Sequence, residues 1–245
     1  MTIPAAGRCT ALLALLLAVA AMLVYPGGDA YHRDTARYSF FQNYLSDLGS
    51  STTWGGAANS TGAWLFGACL ITAAIALCAC LGGLWQIHYP SATARPWATA
   101  ACLAGAMSGI SIVAVSLTPM DVNLHLHESL SNGAIIPLPA VALLLGIAAH
   151  RDHRFSPRSV AGWFVLLTIL ALYVAVLFWH PGFGSEQRLT IQATGQKLAV
   201  LAALILVPCQ SWVAEQATSE SQLQVQVQVI PAGRNKQSFG PPFLT

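Results

Sequence analysis

The sequence predicts an all-α, polytopic membrane protein: a bundle of six transmembrane helices with a short amphipathic helix in the first outer loop. Three observations predict it. Of 245 residues, 55% are hydrophobic and 8% charged, whereas a soluble domain carries roughly 25% charged residues. The apolar residues gather into six runs, each near the ~20 residues that cross a hydrocarbon core of ~30 Å. Trp64, Trp85, Trp97, Trp163, Trp179 and Trp212 stand near the ends of those runs, where aromatic rings favour the interface. A net charge of +2 with no basic, aromatic-rich cluster argues against nucleic acid as a partner.

The first run covers about 3–25 and is closed by Pro26-Gly27-Gly28. Arg8 precedes its apolar core, as in a signal peptide, but the stretch is long for one, so it reads as an uncleaved helix. The second covers about 61–85, and the third about 97–117, closed by Thr118-Pro119. The fourth, about 121–149, has a polar start, and Pro137 and Pro139 inside it remove backbone donors and should kink it. The fifth covers about 160–179. The sixth, about 188–212, opens with a polar half; its apolar part, 198–209, is too short to cross alone, so the polar half must face protein or water. Residues 213–245 read as a cytoplasmic, disordered tail. Its stretch 222–229 alternates with period two, like a strand, but no partner sheet is visible. The six cysteines all lie in or beside apolar runs and read as small buried apolar residues. Cys78 and Cys80 form a C-x-C, not a zinc-type pair. Asn59-Ser60-Thr61 matches a glycosylation sequon but is expected to go unused in a chain of bacterial appearance.

Lysine and arginine counts orient such a bundle. Arg8, Arg95, Arg151, Arg154, Arg158, Arg234 and Lys236 fall on one side; Arg33, Arg37 and Arg188 fall on the other. Both termini are therefore expected in the cytoplasm of a cell-membrane protein, with the first loop outside.

Ionisable residues inside a membrane cost about 2.5–3.5 kcal/mol each and mark functional candidates. Here they gather toward the outer end. Asp121, His125, Glu128 and Asn132 are spaced to share one helix face, while His127 falls elsewhere at about 100° per residue. Ser108, Ser111 and Thr118 form a stripe on the third span, with Ser116 to one side; such stripes usually serve helix packing. Arg188, Gln192 and Gln196 share a face of the sixth span, with Lys197 beside them, and His180 and Glu186 lie just before it. In the first loop, Phe41, Tyr44, Leu45 and Leu48 form an apolar stripe that predicts a short interfacial helix ended by Gly49. Asp47, near its C-terminus, needs a cationic partner, for which Arg188 and Lys197 are the candidates. Ser46, Asp47, Asp121, His125, Glu128, His180, Arg188, Gln192 and Lys197 are thus expected to build a polar pocket on the outer side, with Asp121 or Glu128 paired to Arg188.

The run Asn43-Tyr44-Leu45-Ser46-Asp47-Leu48-Gly49, then Asn59 and 65–70, resembles the opening of a prokaryotic membrane family filed as domain of unknown function 998. Thr118-Pro119-Met120-Asp121 with His125 resembles its second signature, and 182–188, ending in Gln187-Arg188, resembles its third. The likeness covers about 10–212. The Frag/DRAM/Sfk family is similar at a greater distance, and that resemblance implies a role in lipid handling. The first family carries no settled activity.

The residues support a non-enzymatic membrane protein whose pocket takes a lipid headgroup or small polar solute, and whose partner is the bilayer itself. The alternatives are a membrane-embedded hydrolase and a proton-coupled transporter. For the hydrolase, Asp121, His125, Glu128 and His180 are the candidate zinc ligands, since carboxylate and imidazole suit that metal, and Asp47 or Glu128 is the candidate base. The superfamily of alkaline ceramidases and adiponectin-type receptors is a remote analogy, but the last helix here lacks the expected histidines. No cofactor is expected; zinc is the metal that the alternative would need.

Overall fold

The structure, a computed structural model, describes residues 3–179 and 184–229, with side chains described up to residue 223. Seven α-helices carry it: α1 (Ile3–Val24), α2 (Ser60–His88), α3 (Arg95–Ser116), α4 (Leu124–Ile135), α5 (Pro137–Arg151), α6 (Pro157–Trp179) and α7 (Glu186–Val229). Among the described residues there are six spans long and apolar enough to cross a membrane, α4 and α5 together making one. The only extended pairing among them is an isolated bridge between Thr52 and Ala58.

Proline sets several boundaries. Pro96 and Pro137 stand in the first turn of α3 and α5, and Pro157 opens α6; there a missing N–H costs nothing. Between α4 and α5, Pro137 and Pro139 cannot donate to the preceding turn, and the span breaks at Ile136. The Ser108 hydroxyl of α3 donates to the carbonyl of Ala134 beside this break. In hydrocarbon a backbone group loosened from its ladder needs such a partner. A Cβ on Gly133 would come within 2.8 Å of the Ser111 hydroxyl. Two members of the hydroxyl stripe thus serve the close packing of α3 on α4.

The helices pack in sequence, α1 on α2, α2 on α3, α3 on α5, α5 on α6 and α6 on α7, and α7 returns to α2 and α1 to close a ring. The short α4 leans on α3 and the start of α5, without extended packing on α6 or α7. The main core joins Leu81 and Leu84 of α2, Leu145 of α5, and Leu166 and Leu170 of α6. Leu16, Leu103, Ile110 and Leu172 are exposed, as lipid-facing positions of a bundle are. At the end carrying the α2–α3 and α5–α6 connections, Asp152 is buried. It accepts from Arg154 Nε at 2.9 Å and lies 3.0 Å from His88 Nδ1. Burial would raise the Asp152 carboxyl, but the Arg154 guanidinium and His88 hold it below its ordinary range.

Two expectations change. The first loop holds a single 3-10 turn, Ser46–Gly49, in place of the longer amphipathic helix. Its stripe residues do not all share one surface: Leu45 and Leu48 join α1 and α2, Tyr44 packs on Leu189 and Ala193, and Phe41 is exposed. Burial in several directions, not periodicity, fixes this loop. The helix of the sixth span does not end near 212: α7 continues to Val229, so the expected disordered tail is helical as far as that residue. Ala, Glu and Gln are good helix formers, extending a formed helix is cheap, and Glu215 is held by Arg8 of α1 at 2.5 Å. The rest of the expected tail, 230–245, lies outside the described residues.

Candidate functional site: a polar chamber beneath the first loop

The loop between α1 and α2 is folded around one buried carboxylate. Gly27 and Gly28 turn the chain at φ +114° and +85°, and a Cβ on Gly27 would meet the Thr35 carbonyl at 2.0 Å. Asp47 is 1% exposed. It accepts from Asn43 Nδ2 at 2.8 Å, from the Tyr44 amide at 3.0 Å and from Trp54 Nε1 at 3.2 Å. Burial raises its carboxyl to about 6, against the lowering effect of those donors and of the Lys197 ammonium. Asn43 also donates to the Gly28 carbonyl, and Asn59 donates to the carbonyls of Leu48 and Ser50.

The polar half of α7 clasps this loop. The Tyr44 hydroxyl donates to Gln192 Oε1, and Gln196 Oε1 accepts the Leu45 amide at 2.8 Å. Lys197 donates to the carbonyls of Asn43 and Ala193, and its ammonium sits 5.5 and 5.2 Å from the ring centres of Tyr38 and Phe40. The cation expected for Asp47 is therefore Lys197, acting across Asn43. On the other flank, Asp121 accepts the amides of Ser51 and Thr52 at 3.1 and 3.0 Å and the Ser51 hydroxyl at 2.5 Å. Slight burial raises Asp121, but these donors outweigh it and hold the carboxyl below its ordinary range.

Beneath the loop, α4, α6 and α7 border a half-open chamber of about 280 Å³, with Glu128 and Phe178 at its exposed side. Tyr44, Ser46, His127, Glu128, Ser131, Asn132, Gln192 and Gln196 supply its polar wall; Met120, Leu124, Ile135, Tyr173, Leu177 and Phe178 supply the rest. His127 is 5% exposed, with Nδ1 2.6 Å from the Thr118 carbonyl. A carbonyl only accepts, so Nδ1 carries a proton, and in the neutral ring Nε2 is then an acceptor. That Nε2 is buried and has no partner. Glu128 is the charged side chain of the lining, which contains no lysine or arginine.

Of the expected pocket residues, Ser46, Glu128 and Gln192 line the chamber, while Asp47 and Lys197 lie in the loop clasp. His125 is exposed and outside it, and His127 takes the inward place. The helix starts at Leu124, capped by Asn123, whose side chain accepts from the Leu126 amide. Asp121 precedes the helix and is spent on the first loop, while Glu128 and Asn132 of the face counted from it do line the chamber. Leu124, His127, Ser131 and Ile135 of the adjoining face complete that wall. Arg188 is exposed, and no ion pair joins it to Asp121 or Glu128. Gln42 and His32 of the first loop approach Glu186 instead, at 2.7 and 3.8 Å. His180 lies outside the described residues. Asp121, His125 and Glu128 do not converge, and among the described residues no group of three His, Cys, Asp or Glu side chains is placed to hold a metal. Asp47, the other candidate base, is enclosed by its donors and does not reach the chamber.

A family model described as "Protein of unknown function (DUF998)" matches residues 9–213. The chain belongs to that family. No curated protein and no solved structure matches it. In this DUF998 chain the first signature, Asn43 to Gly49, is the buried knot that α7 clasps. The second holds the loop's other flank through Asp121, its Met120 reaches the chamber wall, and its His125 is exposed. The third is only partly described, with Gln187 and Arg188 exposed. The more distant likeness to Frag/DRAM/Sfk proteins stays a resemblance.

Proposed function

We propose that this DUF998 protein binds a hydrogen-bond-donating polar group in the chamber beneath its first loop, on the outer face of the cell membrane, with both termini cytoplasmic. The observation that carries the reading is the chamber lining, which offers Glu128 with hydroxyl and amide groups and no lysine or arginine, beside His127, whose buried Nε2 has no partner. A ligand hydroxyl or ammonium would find acceptors there in the Glu128 carboxylate and the side-chain oxygens of Asn132 and Ser131. The basic residues at the far end, Arg95, Arg151 and Arg154, support the orientation.

Thermal unfolding of the protein in lipid nanodiscs, with millimolar ethanolamine, glycerol or inorganic phosphate added, tests the reading. Ethanolamine and glycerol are expected to raise the midpoint in the native chain and not in Asn132→Leu; phosphate is expected to leave it unmoved. Stabilisation by phosphate alone, or by none of the three, would refute it. Labelling of Thr52→Cys by an impermeant maleimide in intact cells tests the orientation. One observation favours a hydrolase as the second reading: His127 and Glu128 share the chamber. Stoichiometric zinc in the purified protein, lost in His127→Ala, would move the choice to it.

A further inference from the structure

Beside the polar chamber lies a second cavity, of about 380 Å³ and almost wholly apolar. Ser46, Ser131, Ile135 and Gln196 line both, so the two share a wall directly beneath the first loop. From there the apolar cavity descends between α1, α2 and α7. It borders α7 from Lys197 to Pro208 and α2 from Phe66 to Cys80, a depth of roughly 16 Å along α7 at 1.5 Å per residue. Protein interiors hold few voids larger than a water molecule, and apolar cavities of about 150 Å³ already take up small hydrocarbons.

We infer that the ligand is a single-chain amphiphile: its amino or hydroxyl head occupies the chamber, and its chain runs down the apolar cavity toward Pro208. This rests on the chamber reading above and names the class of molecule that the site takes. Three features favour that occupant. The cavity is long and meets the polar chamber at one end. The shared residues put hydroxyl and amide groups where head and chain would join. Lys197, which lines the apolar cavity at that junction, spends two of its three ammonium hydrogens on protein carbonyls and faces two aromatic rings. The chamber lining itself offers an anionic head Glu128 and no lysine or arginine. Lipid tails are as apolar as the cavity wall, so a chain gains little by leaving the bilayer. The head therefore sets selectivity, and the cavity sets where the chain lies.

A dodecylamine carrying a diazirine at its far end, photolysed with the protein in phosphatidylcholine nanodiscs and mapped by mass spectrometry, tests this. Crosslinks are expected at the deep wall, near Cys80, Val207 and Pro208. They should fall by on the order of tenfold in Ala73→Phe, which overfills the cavity. Ala203→Phe, on the opposite wall, serves if the first variant does not fold. Dodecyl phosphate with the same label should crosslink far less. Crosslinks confined to lipid-facing residues such as Leu103 and Leu172, or deep crosslinks that neither variant reduces, would overturn the inference. So would equal labelling by the phosphate. If ethanolamine still stabilises the native chain when the deep crosslinks are missing, the chamber reading stands and only the chain placement falls. If ethanolamine fails as well, both fall.

Discussion

Replacing Asp47 by alanine removes the acceptor around which the first loop is folded. One Asn43 Nδ2 hydrogen, the Tyr44 amide and the Trp54 indole N–H each lose their oxygen. An unsatisfied buried donor costs about 1–3 kcal/mol. Trp54 is only half-buried, so the low end applies, and three orphaned donors weaken docking by roughly 3 kcal/mol. At 1.4 kcal/mol per tenfold, opening of the loop rises by about two orders of magnitude. Lys197 also loses its nearby opposing charge, but the variant no longer buries an ionised carboxylate, the cost that raises Asp47 to about 6. The full effect is therefore expected at about pH 4, where native Asp47 docks protonated. Amide hydrogen exchange in nanodiscs reads this directly, because the amides of Asn43, Leu48 and Asn59 are all bonded within the loop. Exchange over 43–59 is expected to accelerate about a hundredfold, with α3 and α5 unchanged. Asp47→Asn keeps an oxygen for Asn43 and Tyr44 but turns an NH₂ toward Trp54, and should fall between. Loop exchange in Asp47→Ala equal to the native rate would refute the role given to this carboxylate.

Other outcomes follow from the same contacts. Asp47 titrates near 3.8 when free and about 6 when docked. The docked loop therefore holds its proton more tightly, and docking weakens as pH rises from about 4 to about 6 and is level above that. Loop exchange corrected for intrinsic rate should show this slope, and Asp47→Asn should flatten it. A Cβ on Gly7 would lie 2.7 Å from Cys80 Sγ and 3.0 Å from the Cys80 backbone nitrogen. Gly7→Leu should then part α1 from α2 at a cost of about 1–3 kcal/mol, seen as a lower thermal midpoint. Ser108→Ala, which leaves the Ala134 carbonyl without its donor, should cost only ~0.6 kcal/mol, the usual worth of such a bond inside a membrane. Asp152→Ala strips His88 and Arg154 of their shared acceptor. It should destabilise the α2 to α5–α6 clasp by roughly 1–3 kcal/mol, since Arg154 keeps its bond to the Ile87 carbonyl.

The spans were legible because hydrocarbon imposes a length and a composition on them, and each helix begins and ends within a few residues of its apolar run, α7 excepted. The break at Pro137 followed from the missing donors. The polar half of α7 was readable as inward-facing because 198–209 cannot cross a bilayer alone, and Gln192, Gln196 and Lys197 do turn inward onto the loop. The face of α4 was legible only in part: Glu128 and Asn132 line the chamber, and Asp121 and His125 do not. Its register depends on where the helix starts, and that is fixed by the Asn123 cap and by the bonds from Asp121 to Ser51 and Thr52, a tertiary contact across 70 residues. A clue was present in the stripe Leu124, Ser131, Ile135 and Leu138, which keeps His127 with the apolar side. The pairing of Arg188 failed for a related reason: equal depth in a bilayer brings charges to one level but not to one azimuth. The apolar cavity had no signature, because its wall is built from small and aliphatic residues that read as ordinary packing.

The most direct test of the chamber as a ligand site uses Ser131→Cys in a chain with its native cysteines replaced, since Ser131 lines both cavities. Its reaction with aminoethyl methanethiosulfonate in nanodiscs should proceed and be slowed by added dodecylamine, with no slowing by dodecyl phosphate. A thiol at 131 that reacts at the same rate whichever amphiphile is present would contradict a ligand in the chamber.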